Sequence, residues 1–129
     1  MGAYSNNLVA QMLEIVWLNP VFIILAPTGL IFWLIGKWML SHPPGTINIS
    51  VGYRTKRSMQ SQEAWDHAQH FSAKLSIRIG QVEMLLGAFG IFASGIHETV
   101  QAVFAIVVVM YACIHLMVVT ENELKRVFP

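Results

Sequence analysis

Two groups of residues carry side chains able to do chemistry in a chain of 129 residues that is otherwise apolar. The first lies in one polar stretch, Asn48 to Lys74. There Gly52, Tyr53, Arg54, Thr55, Lys56, Arg57 and Ser58 run without an aliphatic residue, and Trp65 and Gln69 follow. Arg54 offers a planar fork of donors that grips a carboxylate or a lipid phosphate bidentately. Lys56 and Arg57 enlarge the cationic cluster, and each such charge is worth about 1 kcal/mol beside an anionic leaflet. Tyr53 and Trp65 are amphipathic rings suited to the membrane interface, and Gly52 permits a backbone geometry or close approach that a Cβ would block. Two readings follow: a shaped loop that binds a partner or headgroup, or ordinary positive residues with aromatic anchors.

The second group is Arg78, Glu83, Tyr111 and His115. A carboxyl within an apolar helix needs a partner or a proton. Counting helical rise places Tyr111 at the depth of Glu83, with His115 one turn away on the same face and Arg78 one to two turns below. A Glu83–Tyr111 or Glu83–His115 hydrogen bond is therefore expected. It would serve as a proton- or ligand-responsive site, or would simply fix helix pairing; a second span that begins later would instead leave Glu83 near the headgroups. His67 and His70 have a spacing compatible with metal, but no further ligands accompany them, so they read as a solvated polar face. There is no Ser-His-Asp set, phosphate loop, zinc spacing or other cofactor motif. The single cysteine, Cys113, lies in an apolar run and reads as a small hydrophobe.

The elements that position these groups are membrane helices. Hydrophobic residues make up 55% of the chain and charged ones only 12%, about half of what a soluble domain carries. Mean hydropathy is +0.56. A net charge of +1 argues against direct nucleic-acid binding. Residues 1–18 lack Lys and Arg and show no cleavage pattern of a signal peptide. Leu8, Val9, Met12, Leu13, Val16 and Trp17 recur there at helical spacing, which predicts an amphipathic helix on or in the membrane.

Asn19-Pro20 reads as a helix start, with Asn as N-cap, and opens span 1 over residues 20–40. Pro27 and Gly29 lie inside it as a kink. Lys37 snorkels near its end, Trp33 and Trp38 sit where indole favours the interface, and His42-Pro43-Pro44-Gly45 stops the helix. Residues 41–74 form a loop with a helix extension from about Gln62, for which Ser61 is the N-cap. Span 2 covers 75–96, His97-Glu98 is a short turn, span 3 covers 99–119, and 120–129 is a polar tail. Gly80, Gly87, Gly90 and Ser94 read as a packing face, with Ala102 and Ala105 of span 3 as receivers, in the bundle or in a dimer. All eight basic residues fall on the side of the central loop and the C-terminus. The positive-inside rule then predicts N-terminus out and C-terminus in, with the polar loop cytoplasmic.

Pro43-Pro44, Asn48, Gly52-Tyr53-Arg54-Thr55, Arg57-Ser58, Trp65, Ala68-Gln69 and the closing Thr120-Glu121 with Leu124-Lys125 resemble the signature of the SdpI family of small bacterial membrane proteins. The resemblance runs from about Pro43 to Phe128. Gln69 stands where the family often has Asn, and the chain resembles a short form without the namesake's additional spans. The resemblance implies a multi-pass protein of the bacterial inner membrane. It also implies toxin immunity or signalling, since the namesake protects a producing cell from a secreted peptide or protein toxin and holds a transcriptional repressor at the membrane.

The expected protein is thus an all-α, single-domain membrane protein of three spans that acts by binding a toxin, a cytoplasmic regulator or membrane lipids, and that is not an enzyme. A rival is an oligomer that moves protons or a small solute past Glu83 and His115. A weaker rival is an enzyme acting on a lipid or membrane peptide through Tyr53 or Arg54, for which no nucleophile–base pair is visible.

Overall fold

The computed structural model describes residues 2–17, 19–93 and 95–129, and within them the side chains of 7–14, 19–93 and 95–129. It is all-helical among the described residues: α1 (Gly2–Trp17), α2 (Pro20–Ser41), α3 (Gln62–Gly90), a 3-10 turn (Ile91–Ala93) and α4 (Glu98–Val127). Among the described residues three helices are long and apolar enough to cross a membrane: α2, α3 with its 3-10 extension, and α4. At 1.5 Å per residue α2 is about 33 Å long, close to a bilayer core of roughly 30 Å. The other two exceed that core by about 10 Å or more and project beyond it.

The helix starts form as their sequences dictate. The Asn19 side chain accepts from Phe22 N at 3.0 Å, with Pro20 at the first helical position. Ser61 accepts from Ala64 N at 3.1 Å. His97 caps α4 by accepting from Thr99 N at 3.3 Å. Asn19 does a second job, because its Nδ2 donates to Gly90 O at 2.7 Å across 71 positions of sequence and clasps the start of α2 to the end of α3.

Backbone approach governs the pairing of α2 with α3. A Cβ built on Gly29 would lie 2.7 Å from Gly80 O, and one on Gly36 would lie 2.6 Å from Ala73 O. From the other side, a Cβ on Gly80 would meet Trp33 N at 2.6 Å, and one on Gly87 would meet Ala26 N at 2.9 Å. Small residues on both helices let the two backbones touch, the packing that membrane helices use when no hydrophobic force drives them together. Ser76 adds a hydrogen bond to Phe32 O at 2.7 Å.

This corrects the expected packing face. The α3 glycines receive α2, not α4, and Gly90 faces Val21 and Asn19. Ala105 of α4 is buried against Val21 and Leu25 of α2. Ser94, and the side chains of Val16 and Trp17, lie outside the described residues.

Two boundaries also differ from expectation. The α-helix of the second span stops at Gly90 rather than Ile96, and a 3-10 turn follows; Gln101 then holds this turn by donating to Ala93 O at 3.0 Å and Ile96 O at 2.7 Å. The polar tail is not separate from the third span, because α4 continues to Val127. Loss of hydrophobicity after Val119 marks an exit from the apolar zone, not a helix end. Glu98 at the start and Lys125 and Arg126 at the finish complement the helix dipole.

α1 forms as expected, and residues 7–14 are exposed along it, Leu8, Val9, Met12 and Leu13 included. The large exposed residues of α2 and α4, such as Ile31, Leu34, Val107 and Ile114, form apolar sides suited to lipid.

Gly80→Val should force α2 and α3 apart and cost on the order of 1–3 kcal/mol, as overpacking does. The thermal midpoint of the purified protein checks this. Gly45→Ala, where a Cβ meets nothing within 4 Å, should leave it unchanged.

Candidate functional site

The stretch between α2 and α3 folds on itself before it touches anything else. Asn48 Oδ1 accepts from Ser50 N at 3.0 Å and Val51 N at 2.8 Å, a side chain standing in for a turn. Thr55 and Ser58 exchange bonds: Thr55 N donates to Ser58 Oγ at 2.8 Å, and Ser58 N to Thr55 Oγ1 at 3.1 Å. The Ser58 hydroxyl, fully buried, also lies 3.0 Å from Tyr53 O. Arg54 reaches back to the carbonyl of Ile49.

Three side chains then fasten the loop to α3. Gln69 is 2% exposed; its Oε1 accepts from Tyr53 N at 2.6 Å and its Nε2 donates to Tyr53 O at 2.9 Å, so one amide imitates a strand partner. Gly52 has φ +112°, and the Gln69 amide occupies the place a Cβ would need. Glycine is required there twice over, by conformation and by space. Trp65 is fully buried and its indole donates to Pro44 O at 3.0 Å. Gln62 Nε2 donates to Gly45 O at 2.6 Å and to Asp66 Oδ1 at 2.7 Å.

Two more side chains fasten it to the end of α4. The Tyr53 hydroxyl donates to Met117 O at 3.0 Å. Arg57 donates to Phe128 O at 3.1 Å and stands 3.4 Å from the Glu121 carboxylate. Thr120 and Leu124, on the same helix end, are fully buried. Burial, and then the nearby Glu121 charge, push the Tyr53 phenol up to about 12.

A model of the SdpI/YfhL protein family matches residues 45–120, which takes in this loop, all of α3 and most of α4. The chain belongs to that family. It is 34% identical over 83 residues to the uncharacterized protein YfhL of Bacillus subtilis (strain 168), a match that covers 64% of this chain and 69% of that one. No solved structure matches. The residues that carry the family resemblance here are the ones that build the loop. Tyr53, Thr55, Arg57, Ser58, Trp65 and Gln69 make hydrogen bonds within the chain, and Gly52 leaves room for the Gln69 amide.

What remains turned outward is a small amphipathic surface. Arg54 and Lys56 are exposed, and beside them stand Ile47, Ile49 and Val51, with Ile49 81% exposed. Sequence reasoning passed over those three aliphatics. Their signal was present as a strict alternation with Thr46, Asn48 and Ser50 in a segment otherwise polar.

The second group also comes together. Arg78, Glu83, Tyr111 and His115 all line one groove of about 470 Å³ between α3 and α4. The expected hydrogen bond does not form. Glu83 is 2% exposed and neither of its carboxyl oxygens has a hydrogen-bond partner. Tyr111 and His115 stack on each other instead, with ring centroids 5.5 Å apart. The physical reason is direction: Tyr111 is 65% exposed, so its ring leans out of the bundle rather than into it.

His67 is a further correction. It is half-buried, lies 3.4 Å from Glu123 and packs edge-on against Phe128, so it belongs to the α3–α4 contact rather than to a solvated face. Among the described residues no set of three metal-ligating side chains gathers.

Gln69→Ala should free the loop, because it leaves the Tyr53 N–H without its partner, at about 1–3 kcal/mol if that group stays buried, and leaves Tyr53 O with the Ser58 hydroxyl alone. Limited trypsinolysis after Arg54, Lys56 and Arg57 should accelerate at least several-fold while the helical content is kept. The phenol gives a second check. Ultraviolet difference titration of wild type against Tyr53→Phe should place a phenolate step near 12, against an ordinary value of about 10. Since the folded value is raised, the stability Tyr53 contributes is complete below pH 10 or so and is lost as pH rises through the folded value.

Proposed function

We propose that this SdpI/YfhL protein is a membrane immunity or signalling protein that acts by binding, not by turnover. In this reading the N-terminus lies outside and the C-terminus inside the bacterial inner membrane. The outer surface meets a secreted peptide or protein toxin. The loop between α2 and α3, in the cytoplasm, meets a regulator or the anionic headgroups of the inner leaflet. Family membership supports the class of function, and the complete segregation of basic residues to one side supports the orientation.

The observation that carries the reading is the split of roles within the loop. Most of the signature residues hold its shape, while Arg54, held by a bond to the Ile49 carbonyl, and Lys56 are exposed on its surface beside Ile49 and Val51. A rigid surface with two cations and two or three exposed aliphatics suits either an amphipathic partner segment or a headgroup layer. Such a surface binds without the cost of first ordering a flexible loop.

The test is protection of a toxin-sensitive host that expresses the chain. Arg54→Ala/Lys56→Ala should lose protection or signalling at unchanged membrane abundance, with the thermal midpoint little changed because the Arg54 bond to the Ile49 carbonyl is exposed. Arg57→Ala should lower the thermal midpoint as well, because it releases Phe128 and Glu121. Full protection by the Arg54→Ala/Lys56→Ala protein would remove the loop from the mechanism. A fluorescent-protein fusion after Pro129 should fluoresce, and an alkaline phosphatase fusion there should be inactive.

A further inference from the structure

The groove between α3 and α4 plays no part in the binding loop, yet it combines features that a packing defect would not. Its walls are apolar, from Leu75, Ile79, Val82 and Leu86 on α3 and Val108 and Ala112 on α4. Its volume, about 470 Å³, falls in the range of small-molecule sites, roughly 300–1,000 Å³. Val82, Leu86 and Tyr111 are exposed at its mouth, on the sides of two helices long and apolar enough to span a membrane, a placement that would turn the mouth toward lipid.

At its floor lies Glu83, almost wholly buried and with neither carboxyl oxygen partnered. The groups that face it are few. From α2 comes the Thr28 hydroxyl, which approaches the carboxyl closely enough to interact with it but donates within its own helix, to Ile24 O at 2.7 Å. From α3 comes Arg78, which is exposed and forms no ion pair with Glu83 among the described residues. From α4 come the stacked rings of Tyr111 and His115. Among the described residues the chain thus supplies a buried acid, an aromatic face and an apolar groove, but no cation paired with the acid.

We propose that this groove is a lateral binding site for a hydrophobic organic cation, which enters from the bilayer, pairs its positive centre with Glu83 and lays it beside the Tyr111 ring. Each part of the ligand answers one part of the site. The apolar walls take its hydrocarbon. The ring quadrupole attracts the cation, an interaction that strengthens where water is excluded. The carboxylate gains the counter-charge that a buried acid otherwise lacks. A rotation of the flexible Glu83 side chain presents one oxygen to the groove. Arg78, at the exposed end, disfavours a cation near itself and so places the charge at the Glu83 end.

The test uses two probes of the same shape and opposite charge, tetraphenylphosphonium and tetraphenylborate, and the full chain in phosphatidylcholine nanodiscs, with partitioning into empty nanodiscs subtracted. The phosphonium should bind saturably, one per chain, and at least tenfold tighter than the borate. Glu83→Gln should weaken it at least tenfold. Leu86→Trp, which fills the mouth from the lipid side, should do the same with the acid left in place. If Glu83→Gln fails to fold, the charge comparison and Leu86→Trp decide the matter. Phosphonium binding no better than borate binding, unchanged affinity in folded Glu83→Gln, or no saturable binding above empty nanodiscs would overturn the assignment. Failure here leaves the loop reading untouched, since the protection assay addresses different residues.

Discussion

Contact between the backbones of α2 and α3 is the constraint from which the rest of the molecule follows. Gly29 and Gly36 on one helix, and Gly80 and Gly87 on the other, leave no room for a single added carbon. In a bilayer, lipid tails satisfy apolar side chains as well as another helix does, so association depends on close packing and on polar bonds. Here both are present: the glycine seam along the length of the pair, Ser76 to Phe32 within it, and the Asn19 clasp at its end. With α2 and α3 fixed at this distance, the chain that joins them must fold compactly over one end, and α4 is left to pack on the outside with a narrow stripe of buried residues, Gln101, Ala105, Ala112, Thr120 and Leu124.

The loop then faces the usual problem of irregular structure near a membrane, which is what to do with its backbone polar groups. The solution is a set of side chains that act as substitutes for secondary structure. Asn48 closes a turn, Thr55 and Ser58 close another, and Gln69 pairs with Tyr53 as a strand would. Magnitudes say which of the fasteners matters most. The half-exposed Arg57–Glu121 pair is worth about 0–1 kcal/mol. Loss of Gln69 would strand the Tyr53 N–H in a partly buried place, at about 1–3 kcal/mol, and leave Tyr53 O with Ser58 alone. Shape therefore rests mainly on neutral amides, which leaves Lys56, and the rest of an Arg54 guanidinium bonded to the Ile49 carbonyl, turned outward.

Glu83 obeys a different logic. Every other buried polar side chain of α3 that reaches a neighbour does so with a hydrogen bond: Gln69 to the loop and Ser76 to α2. An acid left without a bond beside a groove open to lipid is costly in a helix that could have carried leucine there. Stability alone gives no reason for it, which is the argument for a ligand.

Much of the architecture was legible in the sequence because it depends on local rules. Asn19-Pro20 and Ser61 marked the starts of α2 and α3, and the length and hydropathy of three segments marked them as membrane helices. Gly52-Tyr53-Arg54-Thr55 and Trp65 pointed to the family on residue identity alone. The end of α4 was misplaced because polarity reports where a helix leaves the apolar zone, not where its hydrogen bonds cease. Tertiary structure decided what no local rule contains: which helix the glycines of α3 would meet, whether Glu83 would find Tyr111, and which loop side chains would be used up internally. A glycine seam can receive any small-residue face, and helical depth fixes the height of a side chain but not its direction. Those choices were made only when three helices and one loop had to share the same space.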